Sequence, residues 1–227
     1  MIMIGEEEAK ERIARRIAAE FDHSENRLVL NLGVGIPTMV SNYVNNPNIC
    51  IQAENGMLGV GPLAGEGEGD WQLINAGRQL VTQTKGCCFF DSALSFGMIR
   101  GGHVDATVLG SFEVDEQANI ANWIIPNGKQ LGVGGAMDLV SGANRVIVAI
   151  QHQDRKGVSK IKKKCALPIT GFHEADLIVT EYAVFSYENG GLVLKEYAPE
   201  VSLEEIRAMT EASYTVSPAV KKMEVAG

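Results

Sequence analysis

The sequence predicts an α/β protein with a largely parallel sheet flanked by helices and extended by antiparallel hairpins. Short apolar runs suited to buried strands alternate with helical patterns, which is the signature of parallel strands joined by crossovers. Several of these runs end in glycine-rich turns, as at residues 33–35 and 56–61. Asn189-Gly190 stands between two β-prone runs, Ala183 to Tyr187 and Leu192 to Glu196, which is a hairpin signal.

The elements follow in order. Glu6 to Phe21 reads as a helix, with acids in its first turn and Ala9, Ile13, Ile17 and Phe21 on one stripe. On that reading Lys10, Arg12, Arg15 and Arg16 form a solvated face. Arg27 to Leu32 is a buried strand running into Gly33-Val34-Gly35-Ile36-Pro37-Thr38. Thr38 stands where a dinucleotide fingerprint needs its third glycine. The turn either presents amides to an anion or is an ordinary tight connection to a helix reaching Val44.

Ile49 to Ile51 is the next buried strand, and it leads to Gln52, Ala53, Glu54, Asn55 and Gly56. A carboxylate just past such a strand is where open α/β sheets place ligand chemistry. Glu54 is therefore the candidate reacting group, its rival reading being a turn carboxylate. The expectation is that no partner strand follows it closely and that Gly56 to Gly69 is a long loop.

Asp91 caps a helix from Ser92 to Arg100, followed by a strand from Val104 to Leu109. Phe112 to Val114 and Ile120 to Ile125 flank a hairpin at Asp115 to Asn119. Gly132-Val133-Gly134-Gly135 opens a short helix from Ala136, with amides suited to an anion nest or simply a loop needing positive φ. Strands at Arg145 to Ile150 and Leu177 to Thr180 follow. Ser202 and Glu205 fit a capping box opening a helix to about Ala212.

Composition narrows the function. The 227 residues suit one domain spanning 1–227, with 45% hydrophobic residues for a core. Charged residues make up only 21%, which leaves surface for a partner to cover. The net charge of −8 argues against nucleic-acid binding. No apolar run reaches the roughly 20 residues of a membrane span. The start MIMIGEEEAKER lacks signal-peptide order, so the expectation is a cytoplasmic protein. Cys50, Cys87, Cys88 and Cys165 form no metal motif and read as reduced, mostly buried thiols; the four histidines are scattered. Lys160 and Lys162 to Lys164 are the one basic cluster. They are either solvated or face ligand phosphates.

The blocks NLGVGIPTMV, AENGMLGVGP, LINAG, SFGMIRGGHVD, NIANWIIP and GVGGAMDLV, in this order over nearly the whole chain, resemble the β subunit of family I coenzyme A transferases. The likeness is greatest to the acetate/butyrate–acetoacetate and 3-oxoacid enzymes. It implies the CoA-transferase fold, shared in outline with ribose-phosphate isomerases. It also implies that Glu54 attacks an acyl-CoA to form a mixed anhydride, then carries CoA as a glutamyl thioester to a second carboxylic acid. Gly135 would donate its amide to the oxyanion, beside a glutamine of a partner α subunit. Gly33, Gly35, Asn55, Gly56 and Gly134 would line the CoA path, with Gly59 and Gly61 in the same wall. CoA is a substrate here, and no metal or redox cofactor is implied. The assembly would be αβ, α2β2 or larger.

The chemistry is sound from the residues up. A glutamate carboxylate is ordinarily ionised at neutral pH and needs no base. A partly dry pocket and preorganised donors offset its poor nucleophilicity. One departure stands out: Ala53 replaces the serine that usually precedes the family glutamate. The alternatives are a non-catalytic CoA-binding or scaffold subunit, and a hydrolase draining the same thioester to water.

Overall fold

The computed structural model describes residues 4–125, 128 and 132–224. The first helix, α1 (Glu6–Ala18), buries Ala9, Ile13 and Ile17. Its cationic face is not left to solvent. Arg16 Nε lies 2.6 Å from Glu196 Oε2, and Arg12 pairs with Glu200. The helix is thereby tied to the far end of the chain.

Strand β1 (Leu28–Leu32) is followed by α2 (Ile36–Met39), which gives way to a 3-10 turn at Val40–Asn42, short of the expected Val44. Then come β2 (Ile49–Ala53), β3 (Met57–Leu63), β4 (Val81–Phe89) and α3 (Ser92–Arg100). Asp91 Oδ1 accepts from Leu94 N at 2.8 Å, capping α3. Next are β5 (Ala106–Gly110), β6 (Glu113–Asp115), β7 (Ile120–Ala121), α4 (Ala136–Gly142) and β8 (Val146–Ala149). The chain closes with β9 (Ile161–Lys162), β10 (Leu177–Val179), β11 (Ala183–Glu188), β12 (Gly191–Tyr197), α5 (Leu203–Met209) and β13 (Tyr214–Lys222). The Ser202–Glu205 capping box is present, a device worth about 1 kcal/mol, but α5 ends three residues before Ala212.

Ten strands form one sheet in the order β13-β12-β11-β10-β8-β5-β1-β2-β3-β4. The middle strands β10, β8, β5, β1 and β2 run parallel. Antiparallel pairs flank them at β2-β3-β4 and at β10-β11-β12. The strands β6, β7 and β9 make a separate small sheet.

Alternation along the buried strands feeds two cores. Val146 and Val148 of β8 face one side with Ile99 of α3, Leu139 of α4 and Ile206 of α5. Ile147 and Ala149 face the other with Ile13 and Ile17 of α1 and Val40 after α2. Helices therefore cover both faces, as fully apolar parallel strands require. No helix among the described residues is long and apolar enough to cross a membrane.

Two expectations are corrected. Of the loop expected over Gly56 to Gly69 only residues 64–69 remain irregular past the turn, because β3 returns directly along β2 with Ala53 opposite Met57. Glu54 therefore stands in a hairpin turn with a matching strand behind it. The thiols are also less buried than expected: all four are free, with Cys88 exposed and the other three half-buried.

Candidate active site

A cleft of about 630 Å³ opens off the carboxyl ends of the parallel strands. Its floor uses the residue or two that follow each strand: Gly33 after β1, Glu54 after β2, Ser111 after β5, and Ile150 and Gln151 after β8. The chain leaves β1 for β2 on one side and reaches β5 on the other. This is a topological switch point, where loops diverge and leave a crevice.

Glu54 is half-buried in the cleft. Beneath it lies a set of buried polar side chains. Asn31 Nδ2 is 3.3 Å from Glu54 Oε2 and 2.7 Å from Gln52 Oε1. Gln52 in turn donates to Ser95 Oγ at 2.8 Å, and Thr107 Oγ1 donates to Asn31 Oδ1 at 3.3 Å. Opposite Glu54 stands the glycine loop that opens α4. A Cβ on Gly135 would lie 3.5 Å from Glu54 Cγ and 3.0 Å from Phe96 Cζ. A side chain there would press on the Phe96 ring. Neither Gly134 nor Gly135 gives its backbone N–H to another described residue. Gly134 has φ +52.

The structure brings Glu54, Gly33, Gly134 and Gly135 to the cleft, but not every residue expected there. The Gly33 amide is already used, donating to Val108 O at 2.9 Å. Gly35 lies outside the lining; its φ of +90 serves the turn into α2. Asn55 points away and donates to Ile74 O at 2.8 Å. Gly56 is buried with φ +124, and a Cβ there would come 2.1 Å from Phe90 O. Gly59 and Gly61 meet Cys87, Thr84 and Thr82 in the same way. These three glycines let β3 and β4 pack; they are not a wall of the cleft. Ala53 is 4% exposed in an apolar cluster with Met57, Val60 and Val81, on the opposite face of β2 from Gln52. Alanine suits that cluster, where a serine hydroxyl would need a partner.

Two cations line the cleft: Arg78, which the sequence did not single out, and Lys160, one of the cluster read as either solvated or facing ligand phosphates. Arg78, at φ +62, and Lys160 both reach the cleft. Burial pushes the Lys160 ammonium below the ordinary lysine range, while Glu181, Asp154 and Glu6 pull it back up. Lys160 thus parts company with its neighbours: Lys162 pairs with Glu211 at 2.9 Å, and Lys163 and Lys164 are exposed. Nothing in local sequence separates them, because Lys160 is placed by tertiary backbone bonds, its N–H donating to His152 O at 2.9 Å and its carbonyl accepting from Val114 N at 3.0 Å. Asn31 did carry a signal, as the one polar residue in the run Leu28–Leu32.

The fold and cleft define an α/β enzyme that sets one carboxylate against a glycine loop whose amides have no partner among the described residues, at the carboxyl edge of a parallel sheet. Residues 10–209 match the coenzyme A transferase family, and the chain belongs to it. It is 50% identical over 218 residues to the β subunit of the acetate CoA-transferase of Haemophilus influenzae, covering 96% of each chain. It is 45% identical over 214 residues to one subunit of a probable succinyl-CoA:3-ketoacid coenzyme A transferase of Bacillus subtilis, covering 94% of this chain and 98% of that one. An acyl-CoA transferase of Escherichia coli O157:H7 has the same fold, with a TM-score of 0.73 at 22% identity. That match covers 99% of this chain but 45% of the other, so the chain spans under half of that relative.

Proposed function

We propose that this chain is the glutamate-bearing β subunit of a heteromeric CoA-transferase that exchanges CoA between a short-chain acyl-CoA and a carboxylic acid such as acetate, butyrate or acetoacetate. The single observation that carries the proposal is the placing of Glu54 opposite the Gly134–Gly135 loop in one cleft, so close that a Cβ on Gly135 would lie 3.5 Å from Glu54 Cγ. One carboxylate oxygen of Glu54 attacks the thioester carbonyl. The C–S bond breaks, CoA leaves as thiolate, and an acyl–glutamyl anhydride forms. The thiolate then attacks the glutamyl carbonyl, releasing the donor acid and leaving a glutamyl-CoA thioester. The acceptor carboxylate runs the sequence backwards. The amide of Gly135 donates to the oxyanion of the attacked carbonyl. Arg78 and Lys160 offset the repulsion between Glu54 and anionic substrates.

The reaction uses CoA as a substrate and no resident cofactor. The cleft is open where Glu54 is half-exposed, and a partner α subunit closes it. One fact supports a partner: relatives named as single subunits of CoA-transferases match nearly end to end. The chain acts as one domain in an αβ, α2β2 or larger assembly. Its four free cysteines fit a reducing cytoplasm.

Incubating the αβ complex with acyl-CoA and then borohydride tests the assignment. Reduction of the glutamyl thioester should modify Glu54, and Glu54→Ala should assemble but not turn over. Release of free CoA without an acceptor acid, at the rate of transfer, would instead mark a hydrolase. The isolated chain should be essentially inactive until the α subunit is added.

A further inference from the structure

We propose that Asn31 is the positioning residue for this reaction: its buried amide holds one oxygen of Glu54, leaves the other free to attack, and donates again when that held oxygen gains charge. The inference rests on reading Glu54 as the nucleophile.

Asn31, Ser95 and Thr107 are 0% exposed and Gln52 is 2% exposed, all in or against apolar elements. Burying four polar side chains together is unfavourable unless each is satisfied. Here they satisfy one another and converge on one carboxylate. The Asn31 amide nitrogen has two hydrogens. Three acceptors share them: Gln52 Oε1 at 2.7 Å, and Glu54 Oε2 and the Gln52 carbonyl, each at 3.3 Å. The amide oxygen accepts from Thr107 at 3.3 Å. Flipping the amide would set its oxygen against the Glu54 carboxylate and the Gln52 backbone carbonyl, neither of which can donate. The network therefore fixes which end of Asn31 faces Glu54. Asn31 in turn orients Gln52, whose Oε1 faces the Asn31 N–H and whose amide nitrogen then donates to Ser95 Oγ.

The held oxygen has a second use. When CoA thiolate attacks the glutamyl carbonyl of the anhydride, the carbonyl electron pair moves onto Oε2. It returns as the bond to the departing acid breaks. Attack of the acceptor carboxylate on the glutamyl thioester repeats this, with thiolate leaving. Each time, the negative charge on Oε2 appears beside an N–H already in place, so no reorganisation is needed. Gly135 serves the substrate carbonyl, whereas Asn31 serves the carbonyl of Glu54 itself.

The test uses the αβ complex and compares kcat with KM. Asn31→Ala should lower kcat about 100-fold, the scale of one oxyanion donor. KM for acyl-CoA should stay within about twofold, because Asn31 binds no part of the substrate. Thr107→Val, which touches neither Glu54 nor the cleft lining, should lower kcat by a smaller factor. In the Asn31→Ala background it should add nothing, since it acts only through Asn31. Wild-type kcat in Asn31→Ala, or additive losses in the double variant, overturns the proposal. If Asn31→Ala does not assemble, Thr107→Val and Gln52→Met decide alone: reduced kcat at unchanged KM supports it, and wild-type kcat in both rejects it. Failure of the underlying reading looks different, because no thioester would then be trapped on Glu54 in the unmodified complex.

Discussion

Glu-Asn-Gly occurs twice in this chain, and both copies turn hairpins. At the second, Glu188 still pairs in the ladder opposite Gly191, so the loop is Asn189 and Gly190 alone, at φ +52 and +83. Glu188 is exposed and accepts hydrogen bonds from Ser186 at 2.7 Å and Lys195 at 3.1 Å. At the first, pairing stops one residue earlier, at Ala53 opposite Met57. The loop is then three residues long and Glu54 is its first member. A shift of one residue in register moves the same carboxylate from a strand edge in solvent to a cleft lined by glycine amides. Register and neighbours make the site; the tripeptide does not.

The largest expected difference between the two copies is catalytic. Glu54→Ala should reduce turnover of the αβ complex by at least about 10³-fold, the scale for losing a nucleophile. Among the described residues its bonded side-chain partner is Asn31, so circular dichroism and assembly should be unchanged.

The glycines should separate the copies in stability. Alanine at 56 would need φ +124 and would drive its Cβ to within 2.1 Å of Phe90 O. Backbone strain and overpacking together predict about 3 kcal/mol of destabilisation. Gly190 has φ +83 and nothing within 4 Å of a Cβ, so Gly190→Ala should cost about 1 kcal/mol. Denaturant unfolding of the two variants checks the ranking, and equal losses would mean the first turn is not held by Phe90.

The hairpins also differ in what braces them. Amides and hydroxyls, which do not titrate, lie under the first. Beside the second, His152 is fully buried between Thr180 Oγ1 at 3.0 Å and Thr210 Oγ1 at 2.9 Å, with its ring against Phe185 of β11. Burial holds its pKa down at about 3. The unfolded imidazole takes a proton first, near pH 6.5. Stability is therefore full above that value and falls as pH drops toward 3, by up to about 1.4 kcal/mol per unit. Unfolding free energies between pH 6.5 and 5 should show this slope in the wild type and lose it in His152→Gln.

What the sequence made legible follows the same divide between local and tertiary causes. Strands buried on both faces, such as Val146–Ala149, announce themselves as continuous apolar runs, and Asp91 and Ser202 mark helix starts by local hydrogen bonds. The strand β4 hid because Gly86, at φ +87, and adjacent cysteines break any period. The strand β13 hid behind Pro218, which the outermost strand of a sheet tolerates because one side of its ladder is unpaired. Glycines 56, 59 and 61 read as room for a ligand, and the fold gives that room to a neighbouring strand. Arg78 and Lys160 share a cleft with Glu54 only because separate loops end at one edge of the sheet.

The smallest expected effect is the sharpest control. Among the described residues Glu188 bonds to groups on its own hairpin, and its partner Lys195 is 39% exposed. Those partners hold its carboxyl below the usual glutamate range, Ser186 first and then Lys195. Exposed pairs of this kind contribute little once solvent screening and side-chain entropy are counted. Glu188→Ala should therefore leave kcat and KM unchanged within error, and the melting temperature nearly so. The same substitution at the two copies of one tripeptide then isolates position from sequence. A loss of turnover at residue 188 would mean that the second hairpin reaches the cleft in the assembled enzyme, and the one-residue difference in register would no longer explain the site.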